Sequence, residues 1–154
     1  MHPAASSPGR ILVVDDDPDL LATIKQGLQL LGGYEVIVAH EGIAGLEAFF
    51  ATPVDCMIVD LSMPGLNGYQ VIRALRGDAQ TAQTPIIVLS ALAQEEVEVI
   101  GVLSGADAYL YKPVSLRTLL DTVKRVMALT AEQRLERDQA FAEGMFPSEQ
   151  EGTQ

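Results

Sequence analysis

Four apolar runs in this sequence stop on residues able to do chemistry. "ILVV" is followed by Asp15, Asp16 and Asp17, "CMIV" by Asp60, "IIVL" by Ser90, and "AYLY" by Lys112 and Pro113. Carboxylates held close together repel and raise one another's pKa unless a cation sits among them. Asp15, Asp16 and Asp60, if brought together, therefore call for a cation. All-oxygen donors with no histidine or cysteine nearby select a hard divalent ion, Mg²⁺, over zinc or copper. A plainer role is also open to the first cluster, a turn and a helix cap, and it suits Asp17 best because Pro18 follows at the position of a first helical residue.

Bringing those residues together requires particular elements. Short β-rich apolar runs alternate with helical patterns, the signature of βαβ units on a parallel sheet. Strands are expected at residues 11–14, 35–39, 56–59, 86–89 and 108–111, most of them continuously apolar, as suits a sheet covered on both faces. Helices are expected at residues 17–31, 43–50, 68–75, 94–103 and 115–127. The first carries Leu20, Leu21, Ile24, Leu28 and Leu31 as its apolar stripe and ends at "GG"; the last carries Leu116, Leu119, Leu120, Val123, Val126 and Met127. Right-handed crossovers put all strand C-termini on one sheet edge, where ligands bind. A doubly wound, flavodoxin-like α/β fold of order 2-1-3-4-5 makes strands one and three neighbours, so that Asp15, Asp16 and Asp60 share a crevice.

Composition narrows the function classes. The 154 residues suffice for one domain, with 48% hydrophobic content for its core. A net charge of −11 with ten basic residues argues against direct DNA binding. No run reaches the roughly 18 apolar residues of a membrane span, and the N-terminus lacks the apolar middle of a signal peptide, so the expected location is the cytoplasm. The one cysteine, Cys56, lies within an apolar run and reads as a small buried hydrophobe. His2 and His40 fall outside every motif and read as solvated loop residues. Residues 1–9 read as a flexible leader, 10–129 as the core domain, and 130–154 as an acidic extension with six acids after Thr130. Thr130 and Gln133 form a capping-box pattern that suggests a short helix at its start. No output domain is expected after residue 129.

The ordered set "VVDDDP", "IVDLSMPGLNGYQ", "IIVLSA" and "AYLYKP" resembles the receiver domain of two-component response regulators over residues 10–129. The intervals are 44 residues from Asp16 to Asp60, 30 to Ser90 and 22 to Lys112. The resemblance implies a bacterial phosphoacceptor protein, not an enzyme, that assists its own phosphorylation and dephosphorylation. Asp60 would take a phosphoryl group from a sensor histidine kinase. Asp15, Asp16, Asp60 and the Ser62 backbone carbonyl would hold Mg²⁺. Lys112 would place a fixed positive charge against Asp60 and the phosphoryl oxygens. Ser90 and Tyr109 would form the switch, although Tyr109 alone is simply a half-buried strand aromatic. The Lys112–Pro113 bond would be the family's cis peptide, and Gly65 and Gly68 would serve the turn under the site.

The output implied is a partner-binding surface for a target protein; the alternative is a relay receiver that passes the phosphoryl group to a histidine phosphotransfer protein. Val97, Ile100 and Leu103 recur at helical spacing where the related winged-helix regulators carry charges, and Ala108 replaces the second acid of the common "GADDY". That stripe suggests a homodimer through the fourth helix, fifth strand and fifth helix; packing deeper into the core is the other reading. Of the rivals, a Mg²⁺-dependent aspartyl phosphatase of the haloacid-dehalogenase kind would need an acid two residues after its nucleophile, where Ser62 stands. A flavin-binding domain would need donors where Asp15–Asp17 would repel its phosphate.

Overall fold

The computed structural model describes residues 7–91, 105–130 and 132–136. Five parallel strands, β1 (Arg10–Val14), β2 (Glu35–Ala39), β3 (Cys56–Val59), β4 (Ile86–Ser90) and β5 (Ala108–Tyr111), form one sheet of order β2-β1-β3-β4-β5. Four helices accompany them among the described residues: α1 (Pro18–Gly32), α2 (Gly42–Ala51), α3 (Gly68–Arg76) and α4 (Leu116–Met127). The helix expected at 94–103 lies outside the described residues.

Side chains alternate across the sheet and feed two cores. Ile11, Val13, Ile58, Ile87 and Leu89 pack with Leu21, Ile24 and Leu28 of α1 and Leu119, Val123 and Val126 of α4. Leu12, Val14, Met57, Val59, Ile86 and Val88 pack with Val71, Ile72 and Leu75 of α3. With both faces covered, β1, β3 and β4 have no room for polar side chains until the rim. The stripe expected on α1 is narrower than its spacing suggested: Leu28 is fully buried but Leu31 is 66% exposed, in the last turn before Gly33 closes the helix in the left-handed region.

The caps fix where each helix starts. The Asp17 carboxylate accepts from Asp19 N–H and Leu20 N–H at 3.0 and 3.3 Å, so this third aspartate serves the helix. Asn67 and Gln70 form a reciprocal capping box on α3. Thr130 and Gln133 form another, opening a helical turn at residues 132–136.

That turn delivers a charge to the base of the sheet. Arg134, buried, donates to Asp107 Oδ1 at 2.8 Å, while Arg76 meets Asp107 Oδ2 at 3.1 Å and Ile86 N–H donates to the same oxygen at 2.8 Å. Arg76 also donates to the Gly105, Ala82 and Thr84 carbonyls. Two arginines on one fully buried carboxylate thus bolt the entry of β5 to α3 and to the segment beyond α4.

Candidate phosphoacceptor site

The hydrogen-bond ladder continues past the ends of the strands into the polar residues. Asp15 N–H donates to the Ala39 carbonyl at 3.1 Å, Asp60 N–H to that of Val14 at 3.0 Å, and Lys112 N–H to that of Ser90 at 2.8 Å. Each functional residue is thereby the first off the sheet, with its backbone still held by the neighbouring strand. The Lys112–Pro113 peptide is cis.

Asp15 and Asp60 are buried and Asp16 is exposed at the rim. One carboxylate oxygen from each lies within 4.8 Å of the other two. Lys112 Nζ bridges the two buried acids, 2.8 Å from Asp15 Oδ2 and 3.2 Å from Asp60 Oδ2. The remaining oxygens are met by the backbone: Asp17 N–H donates to Asp15 Oδ1 at 2.9 Å, and Ser62 N–H to Asp60 Oδ1 at 3.0 Å. Both carboxylates are therefore fixed at two points.

Electrostatics differ between the partners. Burial pushes the Asp60 carboxyl above the usual carboxylate range, and the Asp15 charge adds to this; the Ser62 N–H and the Lys112 ammonium pull the other way without cancelling it. For Lys112, burial lowers the ammonium, but the hydrogen bond it donates to Asp15 and the charges of Asp60 and Asp15 outweigh this, so the lysine is held above its ordinary value. Three carboxylates with one ammonium bridging two of them form an acidic pocket. Hard, all-oxygen donors of this kind fit Mg²⁺.

Ser90 is fully buried at the end of β4, beside the lysine its carbonyl holds. Tyr109 is half-buried on β5, opposite Val88, and packs on the core layer of α2 and α3. Val97, Ile100 and Leu103 lie outside the described residues. The buried Cys56 thiol is pushed up by desolvation and belongs to the same core cluster as Tyr34 and Ile58, in keeping with its apolar reading.

The response regulator receiver domain model matches residues 11–124. The chain belongs to that family. Among curated relatives, the receiver is 42% identical over 127 residues to the transcriptional regulatory protein PrrA of Mycobacterium leprae, covering 82% of this chain and 53% of PrrA. It is 39% identical over 119 residues to protein PilH of Pseudomonas aeruginosa, covering 77% of this chain and 98% of PilH. The chain thus spans about half the length of PrrA, and likewise 49% of the transcriptional regulatory protein CpxR of Escherichia coli. Among solved structures, the Vibrio cholerae chemotaxis protein CheY4 superposes with a TM-score of 0.72 at 33% identity, covering 77% of this receiver and 98% of that chain. The receiver has the CheY-like flavodoxin fold, and its family is that of two-component phosphoacceptors. No helix of the described residues is long and apolar enough to cross a membrane.

Reading the sequence brought Asp15, Asp16, Asp60 and Lys112 to one rim, where they meet; Ser62, expected to offer its backbone carbonyl, touches Asp60 through its N–H. It missed Asp107, Arg76 and Arg134, whose pairing spans 31 and 27 residues and carries no local period. The one signal was a charged residue, Asp107, directly before an apolar strand with nothing in the sequence to hold it.

Proposed function

We propose that this receiver takes a phosphoryl group onto Asp60 from the phosphohistidine of a sensor kinase and changes a partner-binding surface in response. The observation that carries the reading is the Asp60 carboxylate itself: buried, pinned by Ser62 N–H and Lys112, and flanked by Asp15 and Asp16 at the rim. Asp15, Asp16, Asp60 and the Ser62 carbonyl are the residues that would hold Mg²⁺, which supplies positive charge against the transferred phosphoryl group. Fixing both oxygens of Asp60 presets its line of approach. An Asp60 oxygen forms the new O–P bond as the N–P bond of phosphohistidine breaks, and the imidazole nitrogen leaves with the electron pair and takes up a proton. Lys112 then transfers its contact from carboxylate to phosphoryl oxygen, Ser90 donates its hydroxyl to another, and Tyr109 moves into the space that opens.

The surface so altered is β5 with its neighbouring helices. The apolar spacing of Val97, Ile100 and Leu103 supports a second copy of the chain as one occupant, and a target protein is the other partner. Incubation with Mg²⁺ and acetyl phosphate tests the central reading: wild type should gain one hydroxylamine-labile phosphoryl group by intact-mass analysis and Asp60→Asn none. Equal labelling of the two proteins would overturn it.

A further inference from the structure

Two glycines that offer no ligand stand closer to the phosphoacceptor loop than any side chain could. Gly42 opens α2 and Gly68 opens α3. A methyl group at Gly42 would overlap the Leu66 carbonyl oxygen and lie 3.0 Å from both the carbonyl carbon and Cβ of that residue. One at Gly68 would overlap the carbonyl oxygen of Asp60 itself, 2.8 Å from its carbonyl carbon and 2.9 Å from Leu61 Cα. Most of these neighbours are backbone atoms, so nothing can swing aside; the loop would have to move. Neither glycine has a positive φ, so each position uses the missing side chain and not backbone freedom. One turn further along α2, Gly45 settles on Val14, the residue before Asp15, where a Cβ would stand 2.8 Å from Cγ2.

We propose that Gly42 and Gly68 are positioning residues for phosphoryl transfer. By letting the first turns of α2 and α3 close on residues 60–67, they hold the Asp60 carboxylate against Lys112 and the Ser62 N–H. The inference rests on Asp60 as phosphoacceptor. A displacement of about 1 Å at a reacting group can cost on the order of 10²-fold in rate.

Gly27 provides the comparison. It too is crowded, a Cβ there standing 2.6 Å from both Leu116 methyl carbons, but its neighbours are side-chain atoms where α1 meets α4 and none belongs to residues 60–67. Gly27→Ala, Gly42→Ala and Gly68→Ala are to be labelled with acetyl phosphate over a donor series, rates taken per folded molecule from circular dichroism, and Mg²⁺ affinity measured by calorimetry. Gly27→Ala should lower the thermal midpoint yet keep the wild-type saturated rate and Mg²⁺ affinity. Gly42→Ala and Gly68→Ala should lose roughly 10-fold and 10²-fold in saturated rate and bind Mg²⁺ more weakly. If both fold and keep the wild-type rate, or lose it only in step with the folded fraction, the inference is overturned. Should Gly68→Ala not fold, Gly42→Ala decides; should neither fold, the glycines are structural and the inference falls. A wild type that takes no label overturns the phosphoacceptor reading instead.

Discussion

Asp60 is asked to be a nucleophile in a place that penalises its charge. Its carboxyl sits above the usual range because burial and Asp15 outweigh Ser62 and Lys112. A folded-state pKa raised above the unfolded value contributes stability below the unfolded value, and that contribution is lost as pH rises through the folded one. At neutral pH the ionised, metal-free site is therefore a cost. Metal-free Asp60→Asn should unfold at higher temperature than wild type at pH 7, the gap closing as pH falls below the Asp60 pKa; a variant less stable at pH 7 would contradict this. Lys112 works on the same balance. Lys112→Met should move the Asp60 titration, followed by ¹³C carboxyl shifts, to higher pH, because the ammonium now favours the ionised form. The Lys112 ammonium is itself held up by Asp15 and Asp60, so its own contribution fails only as pH rises through a value above that of a free lysine.

At the scale of elements, the bolt at the base of β5 is a stability determinant. Asp107 is fully buried with Arg76 on one oxygen and Arg134 on the other. Removing one partner of a buried pair costs about 3 kcal/mol, whereas an exposed pair costs under about 1 kcal/mol. Arg134→Met should therefore destabilise the protein by about 3 kcal/mol in urea titration, and a loss within the exposed-pair range would show that the contact carries no weight. How much of this was legible in the sequence depends on the range of the interaction. Strand β3, the Thr130 capping box and the Asp17 cap follow from neighbours in the chain, since apolar runs, Thr130 with Gln133, and Asp17 with Pro18 act over a few residues. Asp15, Asp16, Asp60 and Lys112 were legible because parallel crossovers send every strand end to one rim. Leu31 misled because spacing gives a direction around a helix but not whether another element covers that direction at each turn. Arg134 had no local signal at all, its partner lying across the fold.

At the scale of the molecule, two linked equilibria are open to measurement. Mg²⁺ binding to the acidic pocket should raise the unfolding midpoint of wild type by mass action, reaching about 2.7 kcal/mol at a hundredfold excess over its dissociation constant, and far less in Asp60→Asn. Self-association is the second. If Val97, Ile100 and Leu103 bury apolar area between copies, wild-type dimers should persist at high salt, and Ile100→Glu should sediment as monomer. Unchanged assembly in that variant, or wild-type dimers that dissolve with salt, would refute the stripe as an interface. The Arg134 anchor bears on a different use of the protein, as a part to be joined to others. A fusion that takes the end of α4 as its seam leaves Arg134 behind and with it half the charge balance of a carboxylate sealed beneath β5. A chimera joined after residue 129 should therefore express poorly or unfold early, while one carrying the native chain through residue 136 should match the parent; the transplantable unit ends where the buried charge is answered.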